Sequence, residues 1–251
     1  MRTILLTGAS GGIAQAMIPL LKDDFLILLG RSGQKIEELY ATHPNKVIYE
    51  VDITNEVELS TLVKKIYQEQ GKIDILVNNA GYATYDDFEH FSEEQVRAMF
   101  DVNLFALMAL CRLVGKEMKK VKSGHIINIV SMSGKIASSK SSVYTATKFA
   151  ALGFSNTIRL ELAPHNVGVT TVNPGPVATG FFDLADPDGS YQKSVQAFMI
   201  SPEKVATKIV AAMGTKKREI NLPWVLEAAN KFYTLFPNFA DFLARKVFNF
   251  K

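Results

Sequence analysis

Short apolar runs alternate with longer stretches of helical periodicity along the chain. The runs are TILLTG (3–8), FLILLGR (25–31), KVIYEVD (46–52), DILVNNAG (74–81), GHIINIVS (124–131) and VGVTTVNPG (167–175). Most are continuous rather than alternating, as in strands covered on both faces. Between them, 56–71, 93–120 and 143–165 repeat apolar residues at helical spacing. Strand and helix in alternation predict βαβ units, a parallel sheet and right-handed crossovers. The expected fold is α/β: one doubly wound parallel sheet in a single domain. Any ligand belongs at the carboxyl ends of the strands.

The chain has 251 residues, 47% apolar and 21% charged, enough for a substantial core. A net charge of +3 gives no argument for nucleic acid. Cys111, the one cysteine, excludes a disulfide framework within the chain and fits a reducing compartment. The histidines at 43, 90, 125 and 165 are far apart, and no metal site is expected. No signal peptide and no spanning apolar run are read, so the expected location is cytoplasmic.

The strand ends carry the candidate chemistry. TGASGGIA (7–14) places Gly8 and Gly12 at the first strand–helix junction. Glycines there permit a tight turn and bring amides, with a positive helix end, close to a pyrophosphate. The second strand ends in Gly30 and Arg31 rather than a carboxylate. A guanidinium there suits the 2′-phosphate of NADP, so NADP(H) is expected over NAD(H); Arg31 otherwise reads as a solvated loop residue. Asp52 can accept from an adenine amino group or cap the next helix. Asn78 and Asn79 read as ties between strands, while Ala80 and Gly81 leave room for a ligand against backbone.

Ser131 ends the fifth strand, and Tyr144 and Lys148 open the next helix one turn apart. Residues at that spacing share a face. A lysine one turn from a phenol, next to a nicotinamide that is positive when oxidised, favours the phenolate, bringing the tyrosine towards acid–base work near neutral pH. Ser131 can hold a carbonyl or hydroxyl oxygen, or serve only as a cap.

Together these motifs resemble the classical short-chain dehydrogenase/reductase family over roughly residues 3–222: TGASGGIA, Asp52, NNAG, the helix asparagine Asn103, Ser131-x-x-Gly134, Tyr144-x-x-x-Lys148 and the PG turn at Pro174. The resemblance implies a Rossmann-like fold and hydride transfer between nicotinamide and a carbonyl or secondary alcohol. It implies Ser131, Tyr144, Lys148 and Asn103 as catalytic, with Asn103 relaying protons from Lys148 through water. The implied cofactor-binding residues are Gly8, Ser10, Gly11, Gly12, Ile13, Arg31, Asp52, Ile53, Asn79, Ala80, Gly81, Tyr144, Lys148, Pro174, Gly175, Val177 and Thr179. Val177 is placed at the carboxamide and Thr179 near the phosphates. Ala14 stands where the family usually has a third glycine, and Pro19 should bend the first helix.

Residues 181–200 resemble the family's substrate loop. Phe181, Phe182, Tyr191, Phe198 and Met199 favour an apolar or bulky small-molecule substrate, or only pack on the body. Ser201-Pro202-Glu203 predicts a helix start. The dehydrogenase domain is read as 1–223, followed by an aromatic, amphipathic extension, 224–251. The extension carries one stripe through Val225, Ala228, Ala229, Phe232, Tyr233 and Phe236. A second runs through Phe239, Phe242, Leu243, Val247 and Phe250. With Lys216, Lys217, Arg218, Arg245, Lys246 and Lys251, three roles are open: peripheral membrane contact, a subunit interface, or a flap on the cleft. A homodimer or homotetramer is expected, with dimer contacts through helices 97–120 and 148–163. A non-catalytic NADP-binding regulator and a peripheral membrane interaction protein are the rival functions.

Overall fold

The computed structural model describes residues 1–186 and 189–247. Seven strands form one parallel sheet: β1 Thr3–Thr7, β2 Phe25–Gly30, β3 Lys46–Glu50, β4 Ile75–Asn78, β5 Gly124–Ile129, β6 Val167–Pro174 and β7 Glu219–Leu222. Their order is β3-β2-β1-β4-β5-β6-β7. The order reverses between β1 and β4, where paired strands separate two crossovers and leave a crevice at their carboxyl ends. The six expected strands are present, and the short β7 completes one edge.

The apolar runs of the central strands follow from the two-residue period of an extended chain, which sends successive side chains to the two covered faces. Leu5, Ile27, Leu76 and Ile126 face one core layer, and Ile4, Leu26, Ile75 and Ile127 face the other. The first layer packs on α3 (Glu56–Gln70), α5 (Ala106–Val121) and α6 (Ser142–Leu162). The second packs on α1 (Gly12–Met17), α2 (Gly33–Tyr40) and α9 (Pro202–Ala212). Each fully buried Leu or Ile contributes about 1.5–3 kcal/mol, so both covers are needed to hold the sheet in one register.

Local chemistry sets the element ends. Pro19 lacks the amide that would continue α1, and the chain passes into a 3-10 turn at Ile18–Leu20. Asn55 caps α3 by accepting from the Glu58 amide at 3.2 Å. The cap is therefore not Asp52, whose Oδ1 instead accepts from the amide and hydroxyl of Thr54 at 2.9 and 2.8 Å. Ser201 caps α9 ahead of Pro202, as expected.

The helix α4 (Glu93–Phe100) runs into α5 through a π-helical turn, Asp101–Phe105. The continuous stretch Glu93–Val121 is long and apolar enough, by length and composition, to cross a membrane, unlike the sequence expectation. Half of its apolar window is buried inside the protein, and its apolar face supplies Leu107, Leu110 and Val114 to the core. Beyond β6, α7 (Phe181–Ala185) and α8 (Ser190–Val195) occupy the stretch expected to be a substrate loop. Pro187 and Asp188 of that loop lie outside the described residues. After β7, α10 (Trp224–Leu235) and α11 (Pro237–Val247) pack against each other as a helical hairpin.

Candidate active site

The carboxyl edge of the sheet opens into a cleft of about 730 Å³. Ser131, Tyr144 and Lys148 all line it, delivered by the end of β5 and the first turns of α6. Lys148 is buried, and its Nζ donates to the Ile129 carbonyl at 3.2 Å while lying 5.6 Å from the centre of the Tyr144 ring. Gly134 explains the serine motif. A Cβ there would stand 2.8 Å from the Lys148 carbonyl oxygen, so the serine turn can lie against α6 only with glycine at that position. The Ser131 Oγ accepts from the Ser133 amide at 3.0 Å and has the Pro174 carbonyl 3.4 Å away. Its hydroxyl thus serves as a cap and also lines the cleft.

Burial shifts both titratable groups towards their neutral forms. Tyr144 is pushed well above its ordinary value, with a hydrogen bond from Ser131 pulling the other way. Lys148 is pulled down to about 8 by burial. The sequence expectation of a tyrosine lowered by its lysine is not what the protein alone produces. In a site this enclosed, the loss of water disfavours either charge. The result is a protonated phenol next to an amine that exchanges its proton near neutral pH.

Asn103 sits in the π-helical turn, where the widened helix turns its side chain inward. Its Oδ1 accepts from the Tyr82 amide at 3.0 Å. Its Nδ2 donates to the Tyr82 carbonyl at 2.8 Å and to the Thr147 hydroxyl at 3.2 Å. Asn103 and Lys148 meet across Gly81: a Cβ there would be 3.1 Å from Asn103 Oδ1 and 3.4 Å from Lys148 Nζ.

The predicted cofactor residues divide into two groups. Ile13, Asn79, Gly81, Pro174, Gly175, Val177 and Thr179 line the cleft with Ser131, Tyr144 and Lys148, while Asn103 lies outside its lining. Gly8, Ser10, Gly11, Gly12, Ala80, Arg31 and Asp52 lie outside its lining, at the ends of β1 to β4. Gly8 has φ +64, and a Cβ on it would meet Ala80 Cα at 2.9 Å; one on Gly12 would meet Thr179 Cγ2 at 2.4 Å. These glycines let the first turn, the NNAG segment and the segment after β6 close on one another. Asn79 Nδ2 donates to the carbonyls of Thr7 and Gly8, both at 3.1 Å, and Asn78 Nδ2 donates to Asn128 Oδ1 at 2.8 Å. Both asparagines therefore tie strands together. Arg31 is exposed, and its charge helps hold the Asp52 carboxyl below the usual range, after the hydrogen bonds from Thr54. Ile53 lines a second cavity, on the outer side of α5 and α6, rather than the cleft. The glycine turn and the open crevice at the carboxyl ends of β1 and β4 fit a dinucleotide.

Aromatic side chains enclose the reacting end. Tyr85 lies edge-on to Tyr144 at 6.1 Å and stacks on Tyr191 at 4.1 Å, while Phe181 is 6.1 Å from Tyr144. Of the residues expected in a substrate loop, Phe181, Phe182, Tyr191 and Phe198 line the cleft, and Met199 packs against Phe182, Tyr191 and Val195. Tyr85 gave no sequence signal beyond being aromatic. The hairpin supplies Leu226, Tyr233 and Asp241 to the lining of the cleft. Lys135, next to the serine turn, anchors it by pairing with Glu219 at 2.5 Å and with Glu227 of α10 at 3.2 Å.

Two charge expectations change. Lys216, Lys217 and Arg218 precede β7, with the Lys217 and Arg218 carbonyls accepting from Thr170 and Thr171 of β6. They occupy the edge of the sheet opposite the one from which α10 emerges. His90 is not isolated, since its ring and the carboxylates of Asp86 and Asp87 lie within 4.8 Å of one another on the surface. An ordinary ion pair, His90 Nδ1 to Asp86 at 3.0 Å, accounts for that cluster. Cys111 lies beneath the sheet edge beside Asn78 and Asn128, its thiol pushed up to about 12 by burial.

Residues 2–189 match the family model described as short chain dehydrogenase, and the chain belongs to that family. Its members are oxidoreductases that bind a nicotinamide cofactor and act on small molecules. A 3-ketodihydrosphingosine reductase of Bacteroides thetaiotaomicron is 34% identical over 72% of this chain and 65% of its own length. Dehydrogenase/reductase SDR family member 11 of Homo sapiens is 35% identical over 85% of this chain and 89% of its own. The crystal structure of a short-chain dehydrogenase from Streptomyces avermitilis superposes with a TM-score of 0.83, at 25% identity, over 98% of this chain and 96% of that one.

Proposed function

We propose that the protein is an NADP(H)-dependent reductase of an apolar ketone or aldehyde, reversible as a secondary-alcohol dehydrogenase. The observation that carries this reading is the convergence of Ser131, Tyr144 and Lys148 in one cleft walled by Tyr85, Phe181, Phe182 and Leu226. The cofactor supplies the hydride that the carbonyl carbon receives. The oxygen then needs a proton, and Tyr144 holds one because burial keeps its phenol neutral. Ser131 orients the oxygen. Lys148, pulled down to about 8, is suited to reprotonating the tyrosine near neutral pH. Asn103 is a positioning residue that fixes Tyr82 and the Gly81 backbone beside the lysine.

Arg31 supports NADP(H) over NAD(H) through its charge at the end of β2. The apolar walls, and the name of the 3-ketodihydrosphingosine reductase relative, support a long-chain or otherwise bulky ketone. A homodimer is part of the same proposal, through the outer sides of α5 and α6, where Phe105, Phe149 and Leu160 are exposed. The deciding experiment is optical: NADPH oxidation against carbonyl compounds from small ketones to long-chain ketones, with NADH in parallel. Turnover that falls at least about a thousandfold in Tyr144→Phe, with NADPH binding retained, supports the reading. Undiminished turnover in that variant refutes the mechanism.

A further inference from the structure

The helical hairpin at the end of the chain is amphipathic with its apolar side turned outward. Leu226 and Tyr233 of α10 and Asp241 of α11 face the cleft, and Glu227 is held by Lys135. Trp224, Ala228, Phe232, Leu235 and Phe236 recur at helical spacing on the other side of α10. Trp224 is 76% exposed, Leu235 72%, Phe236 55%, and, on α11, Phe239 54% and Phe242 51%. The rings form one chain, with centroids 5.3 Å apart for Phe232 and Phe236, 6.0 Å for Phe232 and Phe239, and 6.5 Å for Phe239 and Phe242. Scattered exposed apolar residues need no explanation, but a continuous aromatic ridge does.

We propose that this outer face docks on the surface of an anionic lipid bilayer. Charge selects that occupant. Residues 224–251 carry Lys231, Arg245, Lys246 and Lys251 against two acids, Glu227 and Asp241. Both acids are turned inward, to Lys135 and to the cleft, so among the described residues no carboxylate of this segment belongs to the ridge. Lys231 is exposed beside it. Aromatic rings with a lysine alongside, in a segment of net positive charge, match the headgroup layer of such a membrane. With 12 and 11 residues, α10 and α11 are too short to span a hydrocarbon core of about 30 Å, so they lie on the surface. The ridge and the cleft lining are opposite sides of one hairpin. Docking itself does not depend on the reductase reading.

Trp224 is the only tryptophan of the chain and reports directly on docking. The full-length protein is mixed with vesicles of phosphatidylcholine alone or with phosphatidylserine, and tryptophan emission and cosedimentation are read. The expected result is a blue shift and sedimentation with the phosphatidylserine vesicles, weakened by salt and much weaker without the anionic lipid. The double variant Phe236→Glu, Phe239→Glu should lose binding by at least about tenfold while its circular dichroism is unchanged. Lys231→Glu, which leaves the ridge intact, should lose only the phosphatidylserine-dependent part. Emission and sedimentation unmoved by anionic vesicles would overturn the proposal. A double variant that instead turns a dimer into a monomer in equilibrium sedimentation, with no vesicle binding by the parent, would assign the ridge to a second copy.

Discussion

The Lys148 ammonium nitrogen donates to the Ile129 carbonyl at 3.2 Å and lies 5.6 Å from the centre of the Tyr144 ring. The lysine is therefore fixed to the end of β5 and is not free to follow the phenol. Replacing Lys148 by Met keeps the volume and removes a buried, desolvated amine. Turnover should fall at least about a hundredfold, with the fold retained, because an apolar isostere is tolerated where a buried charge is costly. The pH dependence of stability separates this from a packing defect. Lys148 is held at about 8 against an ordinary 10.5, so the folded state prefers the neutral amine. Its contribution is full above pH 10.5 and is lost as pH falls to 8, on the order of 3 kcal/mol. Urea denaturation of Lys148→Met should lack that dependence.

Gly81 is where the asparagine and the lysine come together. Gly81→Ala would put a methyl 3.1 Å from Asn103 Oδ1 and 3.4 Å from Lys148 Nζ. Turnover should drop about tenfold or more, since small displacements of positioned groups are costly in rate. The melting temperature should stay within a few degrees of the parent. A variant with parental kcat would show that the spacing of these two groups does not matter.

Arg31 is exposed at the end of β2. Arg31→Ala should raise KM for NADPH about 10–100-fold and leave KM for NADH nearly unchanged, as loss of a charged contact to a phosphate predicts. Equal effects on both cofactors would remove the charge argument for NADP.

His125 is buried between Thr170 and the Gly214 amide, which donates to Nδ1 at 3.0 Å. Burial pulls the ring down to about 4 from 6.5. Since the unfolded chain takes up its proton first on acidification, this stabilisation is full above pH 6.5 and is lost as pH falls to 4. It amounts to on the order of 3 kcal/mol. His125→Gln should flatten the stability profile across that window in urea titrations at stepped pH.

Much of this was legible in the chain because it depends on local periodicity. The continuous apolar runs determined strands buried on both faces, the helical stripes determined the crossovers, and their alternation determined a parallel sheet with its cleft at the carboxyl edge. Gly8, Gly12 and the Tyr144–Lys148 spacing identified the site because a turn and one helical turn of separation are short-range geometry. Only the tertiary structure decided what depends on residues distant in sequence. It set the direction for Tyr144 in the protein alone, upward, because burial is set by Tyr85 and Phe181 arriving from other elements. It assigned the helix cap to Asn55 and gave Asp52 to Thr54. It separated Lys216–Arg218 from the aromatic tail, because β7 carries the chain across the sheet between them. And it turned the apolar side of α10 outward, because Lys135, 92 residues earlier, holds Glu227 and so fixes which side of that helix meets the body. Amphipathicity shows that a helix has two faces; which one is covered depends on partners that only the folded chain brings together.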